Sequence, residues 1–109
     1  MSYHAKQGDI VLIDFNPQKG YEQMGERPAI IVSNNFFNQL SSLVLVCPIS
    51  NTSYDFPLNV KLDKRTKTTG SILCQHIKSL DLKARNASFI EKIPDDILKN
   101  VLEIIHSEL

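Results

Sequence analysis

Short apolar runs, each ended by turn residues, follow one another from Gly8 to Ile93, and only after Pro94 does the hydrophobic period lengthen to that of a helix. Many strands and one closing helix restrict the chain to a small β-rich fold. The run Asp9-Ile10-Val11-Leu12-Ile13-Asp14 stops at Asn16-Pro17, and Pro28-Ala29-Ile30-Ile31-Val32-Ser33 restarts the pattern. Residues 43–50 are apolar almost without interruption, as in a strand buried on both faces. Phe56, Leu58, Val60 and Leu62 alternate with polar residues, and Pro57 marks a strand start or an edge. Residues 71–74 form a further short run, 75–81 lose both periods and predict a turn or distorted strand, and 87–93 alternate weakly as a strand. Residues 34–42 predict a short helical turn that caps one end of the fold. After Pro94, the spacing of Ile97, Leu98, Val101, Leu102 and Ile105 predicts a helix with one apolar face, and Asp95 and Asp96 suit its first turn. The expectation is one mainly β (α+β) domain over residues 1–109: a small SH3-like antiparallel β-barrel with a C-terminal helix.

A chain of 109 residues can bury roughly two thirds of its unfolded surface, so neither disulfide nor metal is required for stability. Cys47 and Cys74 sit among apolar residues, far apart in sequence and outside any zinc-ligand spacing, and read as buried free thiols. No apolar run approaches the ~20 residues that cross a bilayer, and the N-terminus lacks the pattern of a secretory signal. The expectation is a soluble, cytoplasmic protein without membrane contact. Twelve basic residues balance twelve acidic ones, which argues against a broad surface that coats duplex DNA but leaves room for a short local groove.

Between the first two strands lies a polar loop with Lys19, Gly20, Tyr21, Glu22, Gln23 and Gly25, followed by Arg27-Pro28. Polar groups on a loop held by rigid strands are where chemistry commonly sits. The stretch GDIVLIDFNPQKGYEQMGERPAIIVS, residues 8–33, closely resembles the opening of the MazF/PemK toxins, ribonucleases of bacterial toxin–antitoxin pairs. Two later blocks extend the resemblance in order: Val44-Leu45-Val46-Cys47-Pro48-Ile49-Ser50, and residues 70–85 around Gln75-His76-Ile77-Lys78-Ser79. The resemblance implies a CcdB/MazF-like barrel that acts as a homodimer, cuts single-stranded messenger RNA sequence-specifically without metal or other cofactor, and is blocked by a cognate antitoxin protein. It places the family's catalytic arginine on Arg27 and its catalytic hydroxyl, usually threonine, on Ser50.

Metal-free cleavage uses the ribose 2′-hydroxyl as nucleophile and leaves a 2′,3′-cyclic phosphate and a 5′-hydroxyl. Arg27 offers a planar fork of donors matched to phosphate oxygens, and Ser50 a further donor. A guanidinium is a poor base near neutral pH, which leaves Glu22 and His76 as candidate proton carriers. The alternative for Glu22 is a carboxylate that orients Arg27, and for His76 a structural histidine or a base-stacking one. The family often has Asp-Gln where this chain has Gln75-His76. Candidate RNA contacts are Lys19, Tyr21, Gln23, Lys64, Arg65, Lys67, Gln75, Lys78 and Arg85, with Tyr21 or Phe36 available to stack on bases. His4 and His106 read as incidental. Two rival readings are a CcdB-like gyrase inhibitor, disfavoured by the absence of Trp, and a non-catalytic barrel that binds RNA or protein.

Overall fold

The structure of the chain, a computed structural model, describes residues 3–14, 26–52 and 56–109. Strands β1 (Asp9–Asp14), β2 (Glu26–Ile31), β3 (Val44–Ser50), β4 (Asn59–Lys61), β5 (Ser71–Leu73), β6 (Lys78–Leu80) and β7 (Ser88–Lys92) are joined by one short helix, α1 (Asn35–Leu40), and closed by α2 (Asp95–Ser107). All pairings are antiparallel, in the order β4-β5-β3-β2-β1-β7, with β6 on β3 beside β5.

Alternating side chains on β1, β2 and β3 go to opposite faces, and both faces are covered. Ile10, Ile30, Val32, Cys47 and Ile49 enter the main core with Val60, Leu62, Ile72, Cys74, Ile93 and the buried face of α2, Ile97, Val101 and Ile105. Val11, Ile13, Ala29, Ile31, Val44, Val46 and Leu80 form a second core beneath Tyr3, Ala5, Leu82 and Ala87. Two-sided burial is why these strands read as unbroken apolar runs. The main core holds residues from both ends of the strand path. A flat sheet would separate those ends by roughly 24 Å at about 4.8 Å per strand, so one helix can serve both only if the sheet curls around it.

The sheet is nevertheless not closed by a strand ladder. Glu91 of β7 reaches the loop between β4 and β5: one oxygen accepts the Lys67 N–H at 3.1 Å, and the other accepts the Thr68 N–H and hydroxyl, each at 2.8 Å. Arg65 donates to Asp63 and, through both terminal nitrogens at 2.9 Å, to Asp96 in the first turn of α2. Side-chain bonds thus do the work that a hydrogen-bonded seam does in a closed barrel. Residues 63–70, a run whose Lys64, Arg65 and Lys67 give it the look of a flexible basic connection, are tied at several points.

Desolvation alone would raise the Glu91 pKa, but the bonds from Thr68 and Lys67 outweigh it and hold the carboxyl below its ordinary value. Hydrogen bonds from Arg65 hold Asp63 and Asp96 down in the same way. A group depressed on folding contributes stability that is complete above its unfolded pKa, about 4.3 for Glu, and lost as pH falls through the lower folded value. The urea midpoint is therefore expected to hold from neutral pH to about pH 5 and to fall below about pH 4. Glu91→Ala removes three charge-assisted bonds and is expected to cost about 2 kcal/mol at neutral pH, with a shallower decline in acid. Urea melts of both proteins across this range provide the check.

Helix α1 does not cap the fold as expected. It buries none of its residues, and Phe36 is 72% exposed. Phe56 and Pro57 precede β4 rather than joining it, because the Asn59 N–H turns back onto the Phe56 carbonyl.

Candidate functional site

Arg27 lies near the start of β2, directly opposite Ile13 of β1, and Ser50 ends β3. The β2–β3 register pairs Ile31 with Val46, Ile30 with Cys47 and Ala29 with Pro48. Carried two residues further, it sets Arg27 opposite Ser50. Directly opposed residues in an antiparallel pair stand about 5 Å apart between Cβ atoms. Strand alternation puts both on the face of Ile13, Ala29, Ile31 and Val46, where the apolar layer ends and solvent begins. Arg27 is exposed, and no described carboxylate, Glu26 included, makes an ion pair with it. The β2–β3 pairing itself ends at Ala29–Pro48, so the two residues singled out from sequence stand just beyond it, at the same end of two neighbouring strands.

Ser50 is held from two sides. Its Oγ accepts the Thr52 N–H at 3.1 Å and lies 3.0 Å from Thr52 Oγ1. On the other side Gly70 adopts φ +115°, and a Cβ placed there would lie 2.6 Å from the Ser50 carbonyl oxygen and 3.1 Å from Asn51 Oδ1. Only glycine lets β5 come so close to the end of β3. Thr52 and Gly70 were not singled out as site residues from sequence. The readable signals were Ser-x-Thr just past a strand, which favours a side-chain turn, and a glycine opening a short strand.

Gln75 and His76 occupy the turn between β5 and β6, where the edge of β3 passes from its Ile49–Ile72 pairing to its Val46–Lys78 pairing. The turn closes with the His76 N–H on the Leu73 carbonyl, and His76 is exposed. Gln75 Oε1 is buried with no hydrogen-bond partner among the described residues. Lys78 lies farther along the same edge, four residues of β3 from Ser50 or about 13 Å. The Arg85 carbonyl accepts the Asp14 N–H at 3.0 Å, which brings the 81–86 turn to the end of β1 beside Arg27.

Arg65, expected as a cation facing RNA, has its guanidinium taken up by Asp63 and Asp96. The neighbouring Lys64 and Lys67 are exposed on the same tied loop. Phe36 belongs to α1, beyond the far end of β2 from Arg27, and is not part of this site. Lys19, Tyr21, Glu22 and Gln23 lie outside the described residues. Cys47 and Cys74 are free and buried, and burial pushes their thiols up to about 12 and about 11, which removes them as nucleophiles. Among the described residues no group of three or more His, Cys, Asp or Glu side chains could hold a metal ion, and no helix is long and apolar enough to cross a membrane.

A curled antiparallel sheet of short strands with a C-terminal helix, carrying an exposed arginine and a strand-end hydroxyl at the same end of two neighbouring strands, defines a small β-barrel-like protein. Comparison with known proteins identifies which one of that class. Residues 6–109 match the family described as PemK-like, MazF-like toxins of type II toxin–antitoxin systems, and the chain belongs to that family. It is 34% identical over 101 residues to the endoribonuclease PemK of Escherichia coli, covering 89% of this chain and 76% of that protein. The crystal structure of MazF from Deinococcus radiodurans matches with a TM-score of 0.85 at 32% identity, over 98% of this chain and 97% of the other. A MazE–MazF crystal structure from the same organism matches with a TM-score of 0.88, also at 32% identity, over 98% and 96% of the two chains. The expected fold is borne out, and the comparisons favour this family over the gyrase-inhibitor alternative.

Proposed function

We propose that this chain, acting as one domain over residues 1–109, is a sequence-specific endoribonuclease toxin that cleaves single-stranded messenger RNA in the cytoplasm without a metal. The observation that carries the reading is the β2–β3 pairing, whose register, continued two residues, would bring an arginine without a described carboxylate partner to a strand-end serine, in a chain whose curated relative PemK is named an endoribonuclease.

In the proposed reaction the ribose 2′-oxygen bonds to phosphorus, the bond from phosphorus to the 5′-oxygen breaks, and the proton lost from the 2′-hydroxyl is balanced by one delivered to the leaving 5′-oxygen. Arg27 binds the non-bridging oxygens bidentately and stabilises the charge that grows on them; Ser50 donates a further bond. Glu22 or His76 carries the proton. His76 is exposed on the turn that follows β5. Gln75 supplies the buried acceptor Oε1 to a nucleobase N–H, and Lys78 and Arg85 extend the contact along the strand. Lys64 and Lys67 add positive charge at the margin, and Lys19, Tyr21 and Gln23, which precede β2 in the sequence, are further contacts in this reading. Arg65 contacts RNA only by releasing its carboxylates.

The protein acts as a homodimer and is silenced by an antitoxin whose acidic segment covers the cationic edge through charge complementarity; that a similar chain is solved as a MazE–MazF complex supports a protein partner. Light scattering tests the dimer. A pull-down against the product of the neighbouring small reading frame tests the antitoxin.

The decisive experiment incubates the purified protein with a long RNA in EDTA and maps the new ends. Cleavage at a recurring sequence, leaving 5′-hydroxyl and 2′,3′-cyclic phosphate ends, is the expected result. Uncut RNA, or equal cleavage by Arg27→Ala, overturns the proposal.

A further inference from the structure

The Ser50 hydroxyl has a neighbour that determines what it can do. A serine oxygen carries two lone pairs and one proton. The Thr52 N–H already occupies one lone pair at 3.1 Å, and Thr52 Oγ1 is 3.0 Å away, near enough for either hydroxyl to donate to the other. When Thr52 donates, both acceptor positions of Ser50 are filled and its own proton is left for an outside acceptor. When Ser50 donates, its proton is consumed within the turn. A non-bridging phosphate oxygen accepts and never donates, and Ser50, at the end of β3, lies nearer than Thr52 to where the β2–β3 register, continued, would bring Arg27, so a phosphate held by Arg27 meets Ser50 first.

We infer that Thr52 is a positioning residue: by donating its hydroxyl proton to Ser50, it makes Ser50 a dedicated hydrogen-bond donor to the scissile phosphate. The inference rests on the endoribonuclease reading above. It also assigns Ser50 no role as a base, since neither lone pair is available to take a proton. Thr52 is exposed and makes its contacts within the turn, so losing its hydroxyl leaves the core untouched.

The test uses full-length Thr52→Val, which keeps the shape and the backbone N–H but removes the hydroxyl, with Thr52→Ser as the conservative variant. Steady-state cleavage of an oligoribonucleotide carrying the mapped site is measured in EDTA, with thermal melts to confirm folding. Thr52→Val is expected to lower kcat about five- to tenfold, the scale of one hydrogen bond, with KM little changed. Thr52→Ser restores the rate, and Thr52→Val causes no further loss in a Ser50→Ala background. Thr52→Ala, free of the valine branch, gives the same pattern. A wild-type kcat for Thr52→Val while Ser50→Ala is impaired overturns the role of Thr52 alone. An equal loss in the presence and absence of the Ser50 hydroxyl also overturns it, since Thr52 then acts independently. A wild-type rate for Ser50→Ala removes Ser50 from the reaction, and the inference falls with it.

Discussion

Arg27→Ala is expected to reduce RNA cleavage at least about a hundredfold while leaving the melting temperature almost unchanged. The size follows from the role proposed for the guanidinium: in the transition state of phosphodiester cleavage the oxygens around phosphorus carry more negative charge than in the substrate. A preorganised donor aimed at that charge contributes on the order of 10²–10³ in rate. The small effect on stability follows from exposure and the absence of a described carboxylate partner, so the substitution opens no cavity and strands no buried charge. Arg27→Lys keeps the charge and loses the fork. It is expected to recover only part of the rate, because an ammonium cannot hold two phosphate oxygens in one plane. Single-turnover cleavage of a labelled oligoribonucleotide at saturating protein separates this loss from weaker binding. A hundredfold fall in rate at saturation supports a transition-state role; a defect abolished by saturation assigns Arg27 to binding alone.

Gly70→Ala is expected to damage both stability and activity. At φ +115° any side chain is strained, and the added Cβ meets the Ser50 carbonyl group at 2.6 Å to oxygen and 2.9 Å to carbon. The contact is with backbone, so relief requires moving the end of β3 or β5. The expected cost is about 2–4 kcal/mol, equivalent to a melting temperature lower by roughly 10 °C or more. The segment that must shift carries Ser50 and Thr52, so the folded fraction should also cleave more slowly than wild type. Gly8→Ala supplies the comparison. Gly8 has φ +94°, but its nearest obstacle is Leu98 Cδ2 at 3.0 Å, a side-chain tip that can rotate, and it lies at the other end of β1 from Arg27. That variant is expected to melt lower and yet cleave normally per folded molecule. Normal cleavage by folded Gly70→Ala would show that the β3–β5 contact does not hold the site.

These variants separate what the residue order reveals from what the folded chain adds. The strands β1, β2 and β3 and the helix α2 were readable because their signals are local. An apolar run with no alternation means burial on both sides, and the spacing of Ile97, Val101 and Ile105 means one helical face. The loop at residues 63–70 was not readable in the same way. A run with Lys64, Arg65 and Lys67 looks like a solvated basic segment, yet the partners that tie it, Glu91 and Asp96, come from β7 and α2; Asp96 is 31 residues from Arg65. Periodicity carries no information about such pairings. The same limit applied to α1, whose aromatics suggested a cap but of which Phe36 stands largely in solvent and Phe37 is only partly covered.

For the site, residue identity was enough to pick out Arg27 and Ser50, since a resemblance is carried by residues in order. It could not say that they stand at the same end of two neighbouring strands. That follows from antiparallel pairing, which makes neighbours of strands far apart along the chain and depends on register. Whether Arg27 is left with its charge available while Arg65 is neutralised depended on which carboxylates the fold brought near each. Both are arginines in polar surroundings by sequence, and an ion pair is a matter of distance, which only the packed chain supplies.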